Sequence, residues 1–195
     1  MAVTMAAGLT ACGGGGGAAA ETPTAMRSGP AASSTDEPSV AIDGTEGTGV
    51  TVPVPDASIG TERHTLAIPL EDADVVVHGV AFYRPGPVEG SVIGGVSVVY
   101  DDSPAVRSDD GGVADADAIA ARANPGREPV VTTIGGRTVL GWPDSEVVPA
   151  PDIPQEDRTV SRYVVLLDHG IEMVTFDDVD PAAAATYLEA LAGAR

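Results

Sequence analysis

The chain has 195 residues, 43% of them hydrophobic, which is enough for one ordinary core and too little for two. Its formal net charge of -19 excludes a nucleic-acid partner, because phosphate binding is driven by Lys and Arg displacing counterions. The same charge keeps the folded part from lying on an anionic bilayer unaided, and a single cysteine, Cys12, excludes an intramolecular disulfide or a multi-cysteine metal site.

Residues 1–11 read MAVTMAAGLTA, an apolar run of small residues that leads into Leu9-Thr10-Ala11-Cys12. Leucine, two small residues and cysteine resemble the lipobox of bacterial lipoproteins. The small residues fit extended into a protease cleft, Leu9 fills the specificity pocket, and only the thiol of Cys12 can form the thioether to diacylglycerol. The resemblance implies a signal peptide over 1–11, an acylated Cys12, and attachment to the extracytoplasmic face of the cell membrane through an N-terminal lipid anchor. A secretory signal normally opens with positive charge, and none of these eleven residues is Arg or Lys; an upstream start codon is therefore expected to add a short basic segment.

Residues 12–60 are rich in Gly, Ala, Pro, Ser and Thr, with few large apolar side chains. Such a segment is expected to stay disordered, because it cannot bury enough surface to offset its ordering entropy. As a coil it would reach roughly 40 Å and act as a tether.

From residue 61 to 195 the pattern predicts one domain. Strands are expected at 64–69 (HTLAIP), 75–84 (VVVHGVAFYR) and 92–100 (VIGGVSVVY), the last two joined by Pro85-Gly86-Pro87. Alternation puts Val92, Val96, Val98 and Tyr100 on one face. Ala116, Ile119, Ala120 and Ala123 share a helical stripe, with Asp115 or Asp117 as N-cap and Asn124-Pro125-Gly126 as terminator. A hairpin is expected from 129–134 to 137–142 around Gly135-Gly136. A second runs from 159–168 to 171–176 around His169-Gly170, and its unbroken Val164-Val165-Leu166-Leu167 predicts a central strand buried on both faces. Asp180 and Pro181 open a final helix with Ala184, Tyr187, Leu188 and Leu191 inward.

Three strands, a helix, two hairpins and a terminal helix predict an α+β domain, an antiparallel sheet packed by two helices. All ten basic residues are Arg, and Asn124 and Gln155 are the only carboxamides, a bias that points to a high-GC genome. A lipobox, a polar tether and this element order over about the last 135 residues resemble the PsbP-like fold of actinobacterial LpqN-type lipoproteins. The resemblance implies a non-catalytic adaptor that binds an envelope component. The departure from that family is the weak opening strand, HTLAIP.

Candidate chemistry is sparse. His64, His78 and His169 lack the i, i+4 or i, i+2 spacing of metal ligands. Asp101, Asp102, Asp109, Asp110, Asp115 and Asp117 are hard oxygen donors without EF-hand spacing, and a solvated loop with capping acids accounts for them. Gly90-Ser91-Val92-Ile93-Gly94 has its serine one position too early for a nucleophile elbow. No catalytic residue, metal or cofactor is assigned. Trp142 at a hairpin end suits either the core edge or a partner anchor, and Asp109 and Asp110 are further partner-contact candidates. The expected function is an envelope lipoprotein that binds an envelope protein or a small amphiphile. The alternatives are a lipid or glycolipid carrier, with room for a cavity at Gly94, Gly95 and Ala184, and a hydrolase whose site is not visible in the sequence.

Overall fold

The extended runs bounded by Gly, Pro and Asp form strands and the two stretches of helical period form helices, in a computed structural model that describes residues 38–45, 47–70, 75–89, 91–146 and 159–194. Of residues 144–146 the backbone alone is described. Strands β1 (Ser39–Asp43) and β2 (Gly49–Pro53) pair as a separate antiparallel hairpin. Strands β3 (Glu62–Pro69), β4 (Val76–Pro85), β5 (Val92–Asp101), β6 (Val130–Ile134), β7 (Arg137–Glu146), β8 (Thr159–Leu166) and β9 (Ile171–Asp177) form one sheet. Its order is β3-β4-β5-β9-β8-β7-β6, with every neighbouring pair antiparallel. With helices α1 (Ala116–Ala123) and α2 (Pro181–Gly193), the class is α+β.

The sheet is covered on both faces, and adjacent residues of one strand serve opposite cores. Val139, Val165, Val174 and Phe176 pack with α2 and the β1–β2 hairpin. Leu140, Val164, Ile171 and Trp142 pack with Ile119 and Ala120 of α1. The run from Val164 to Leu167 alternates between the two clusters, so its lack of polar residues reflects two apolar faces. The central strand is β9, with β8 beside it. Strand β3 lies at the sheet edge and is mostly exposed, the physical reason for its weak apolar pattern.

Local signals account for the ends of elements. The Asp115 carboxylate accepts from the Ala118 N–H at 2.8 Å and caps α1. Asp180 accepts from the Ala182 and Ala183 amides and caps α2, with Pro181 at its first position. Gly135 and Gly136 both take positive φ, 58° and 83°, as a type I′ turn requires. The β8–β9 turn needs no such conformation at His169: among the described residues Asp178 is the non-glycine with positive φ.

Three expectations are corrected. Residues 38–60, expected as part of the linker, instead carry β1 and β2, with Ile42, Val52 and Ile59 buried in the larger core. Burying these three contributes roughly 1.5 to 3 kcal/mol each, an amount the composition of their surroundings concealed. Val92 lies outside the core with 41% exposure, because the register shifts between Tyr83 and Pro85, which breaks the alternation leading to Val96. Gly94 and Gly95 leave no room for a cavity: a Cβ at Gly95 would sit 2.1 Å from the Phe82 carbonyl oxygen, and one at Gly94 2.4 Å from that of Asp177. Their φ values, 119° and 150°, suit glycine at a bulge.

Candidate functional site

Period-two alternation along β9 places Glu172 on the same face as Val174 and Phe176, inside the α2-side core. Glu172 is 3% exposed, and among the described residues no hydrogen bond or ion pair reaches its carboxylate. An unpaired buried charge is expensive, so the group shifts toward its neutral form. Burial pushes the Glu172 carboxyl up to about 7, opposed by the charge of Arg137.

Glu172 lines a cavity of about 310 Å³. The floor is the sheet, with Glu172 from β9, Arg137 from the start of β7 and Leu167 just beyond β8. Gly49, Val50 and Thr51 of β2 form one wall, and Leu191 and Ala194 at the end of α2 form another. Asp168, in the β8–β9 turn, completes the lining. The Nε of Arg137 is buried without a hydrogen-bond acceptor. The cavity therefore joins an apolar wall to a guanidinium and a carboxyl that neither the fold nor each other satisfies.

A polar row continues from Glu172 across the sheet. Tyr100 of β5 stands opposite Glu172, and His78 of β4 stands opposite Tyr100. The Tyr100 hydroxyl lies 3.2 Å from Thr48 Oγ1, which in turn donates to Asp102 Oδ2. Burial raises the Tyr100 pKa, against the Thr48 hydrogen bond and with the negative charges of Asp102 and Glu172 adding to the rise. Asp102 Oδ1 accepts from the Thr45 amide at 2.7 Å and from Thr45 Oγ1 at 2.5 Å. This fully buried carboxylate fastens the β1–β2 turn, and so holds the cavity wall in place. At the other end of the hairpin the Tyr187 hydroxyl donates to the Pro53 carbonyl at 2.9 Å. Burial raises the Tyr187 pKa further, with the Glu172 charge adding to it.

The residues singled out from sequence are distributed differently. Trp142 is 2% exposed, packs against α1, and donates from Nε1 to the Arg127 carbonyl at 3.1 Å. It is a core residue with its polar atom satisfied, and presents no surface to a partner. Asp109 and Asp110 lie on an exposed loop. Asp110 accepts from Ser108 Oγ and the Gly112 amide, and these bonds, the Ser108 hydroxyl first, lower its pKa. Asp101 accepts from the Ser103 amide at 2.9 Å. Among the described residues no group of three or more His, Cys, Asp or Glu could hold a metal ion. His64 and His78 fall on opposite faces of the sheet, since His78 pairs with Ala67, three residues along from His64, and His169 sits in the β8–β9 turn. Cys12, Leu9, Thr10 and Ala11 lie outside the described residues.

Glu172 and Arg137 were not anticipated, yet β9 carries a signal. In Ile171-Glu172-Met173-Val174-Thr175-Phe176 the glutamate shares its period-two face with Val174 and Phe176, and a charged residue on an apolar face of a strand calls for a reason. Compared with protein-family models, curated proteins and solved structures, the chain matches none.

Proposed function

We propose that this is an extracytoplasmic lipoprotein, acylated at Cys12 and held off the membrane by a flexible tether, whose α+β domain binds a small amphiphile without catalysing a reaction. The observation that carries the ligand class is the cavity of about 310 Å³, whose lining brings Val50, Leu167 and Leu191 together with Arg137 and Glu172. Small-molecule sites combine a largely apolar lining with a few convergent polar groups, and this volume lies at the lower end of their range. Of the two partner classes open to an envelope adaptor, protein or small amphiphile, the cavity favours the amphiphile.

Two unsatisfied ionisable groups suit a headgroup better than an acyl chain alone, which sets this reading apart from a carrier with a wholly apolar cavity. The PsbP-like, LpqN-type resemblance belongs to the same proposal and rests on element order after a lipobox. The membrane part rests on Leu9-Thr10-Ala11-Cys12; intact mass of membrane fractions should carry acyl groups on the wild type and none on Cys12→Ala.

The binding part is tested by titrating the full chain with octyl glucoside, octanoate and octylammonium, followed by residue-resolved NMR. At least one should bind saturably, with shifts at Leu167, Glu172 and Leu191. Val50→Trp, which enlarges a half-buried side chain of the wall, should abolish the shifts. No saturable binding by any of the three would refute the reading.

A further inference from the structure

Of the three charged residues that line the cavity, Asp168 is exposed in the β8–β9 turn, and Arg137 and Glu172 differ in what they lack. Arg137 offers a buried Nε–H with no acceptor. Glu172, 3% exposed, receives no hydrogen bond among the described residues. A ligand cation would satisfy Glu172 and leave Arg137 worse off. A ligand anion satisfies Arg137 directly, and it also satisfies Glu172 if that carboxyl carries a proton to donate. Two carboxyl groups close together readily share one proton between them.

We infer, resting on the amphiphile reading above, that the cavity takes the carboxylate end of an anionic amphiphile between Arg137 and the protonated carboxyl of Glu172, so that binding above neutrality takes up a proton. The apolar chain then lies along Leu167, Leu191 and Val50. The proton balance is simple: solvent supplies one proton to the Glu172 carboxylate, the Glu172 hydroxyl donates a hydrogen bond to the ligand carboxylate, and no covalent bond changes.

The groups facing Glu172 from each packed element are consistent with this. Arg137 of β7 is the cation. Tyr100 of β5 and Tyr187 of α2 have raised pKa values and stay neutral. His78 of β4 stands one strand further, beyond Tyr100. Asp102 is engaged by Thr45 and Thr48. Strand β2 contributes Gly49, Val50 and Thr51, none of them ionisable, and Asp168 is exposed in the β8–β9 turn. With Glu172 neutral, the charges left in the lining are the half-buried Arg137 and the exposed Asp168.

Isothermal titration with octanoate on the full chain, in two buffers of different ionisation enthalpy, reads the proton directly. Octanoate should take up close to one proton at pH 8 and bind about a hundredfold more weakly at pH 9 than at pH 6. Glu172→Gln should abolish the proton uptake and flatten that profile, and Arg137→Gln should weaken octanoate at least about tenfold with little effect on octyl glucoside. Octanoate binding independent of pH, or octylammonium binding preferentially with proton release, would overturn the inference. If octyl glucoside still bound at a site lost in Val50→Trp, the amphiphile reading would survive that result. If none of the three bound, both would fall.

Discussion

Glu172→Gln should make the protein more stable at neutral pH and leave it nearly unchanged in acid. The wild-type carboxyl titrates near 7 in the folded state against an ordinary 4.5. Between these values the native state holds more protons than the unfolded chain, so this group's contribution to stability falls as pH rises. The penalty is absent below about 4.5 and complete above about 7. At about 1.4 kcal/mol for each tenfold in proton affinity, it reaches roughly 3 kcal/mol at pH 7 to 8. Glutamine has nearly the same shape and stays neutral, so the variant escapes the penalty. Urea unfolding of both proteins at half-unit steps from pH 4 to 8 measures the difference, and self-repulsion among the other acidic residues largely cancels between them. The two stability curves should meet near pH 4 and diverge by roughly 3 kcal/mol by pH 8. Parallel curves across that range would refute the argument that Glu172 is buried and unpaired.

Asp102→Ala should cost about 3 kcal/mol by removing the acceptor of Thr45 and Thr48, with amide hydrogen exchange over residues 39–53 rising first; unchanged protection there would show that the hairpin does not depend on Asp102. Gly95→Ala should cost at least about 2 kcal/mol in urea unfolding, from a positive φ and a Cβ driven into the Phe82 carbonyl. Trp142→Phe should cost about 1 to 2 kcal/mol through the lost hydrogen bond to Arg127; in the wild type, Trp142 emission should be blue-shifted and unmoved by octanoate. Asp180→Ala should cost about 1 kcal/mol at the start of α2, read from the thermal midpoint.

Most of the fold was legible because its signals are local. The two caps, Pro181 and the Gly135-Gly136 turn each state an element boundary within a few residues, and the run from Val164 to Leu167 announces burial on both faces. The β1–β2 hairpin was not legible. Its inward residues, Ile42 and Val52, are spaced by Gly, Thr and Asp that read as tether, and what orders them is distant: Asp102 just beyond β5 and Tyr187 of α2. The Val92 misplacement has the same character, since a bulge at Ile93-Gly94, opposite Arg84, resets the alternation without altering composition. The candidate site was hidden for a related reason. Glu172 and Arg137 are far apart in sequence and meet only because β9, β8 and β7 are neighbours and the unforeseen hairpin forms one wall.

The Glu172–Arg137 cavity must hold an amphiphile if the proposed function is right. The most direct measurement follows the Glu172 side-chain carbonyl by carbon NMR while octanoate is added to the full chain at pH 7. That resonance should shift saturably toward the protonated position, accompanied by the methyl groups of Leu167 and Leu191, and the shift should be absent in Val50→Trp. A Glu172 resonance that does not move, or shifts confined to the exposed Val88, Val92 and Ile93, would contradict it.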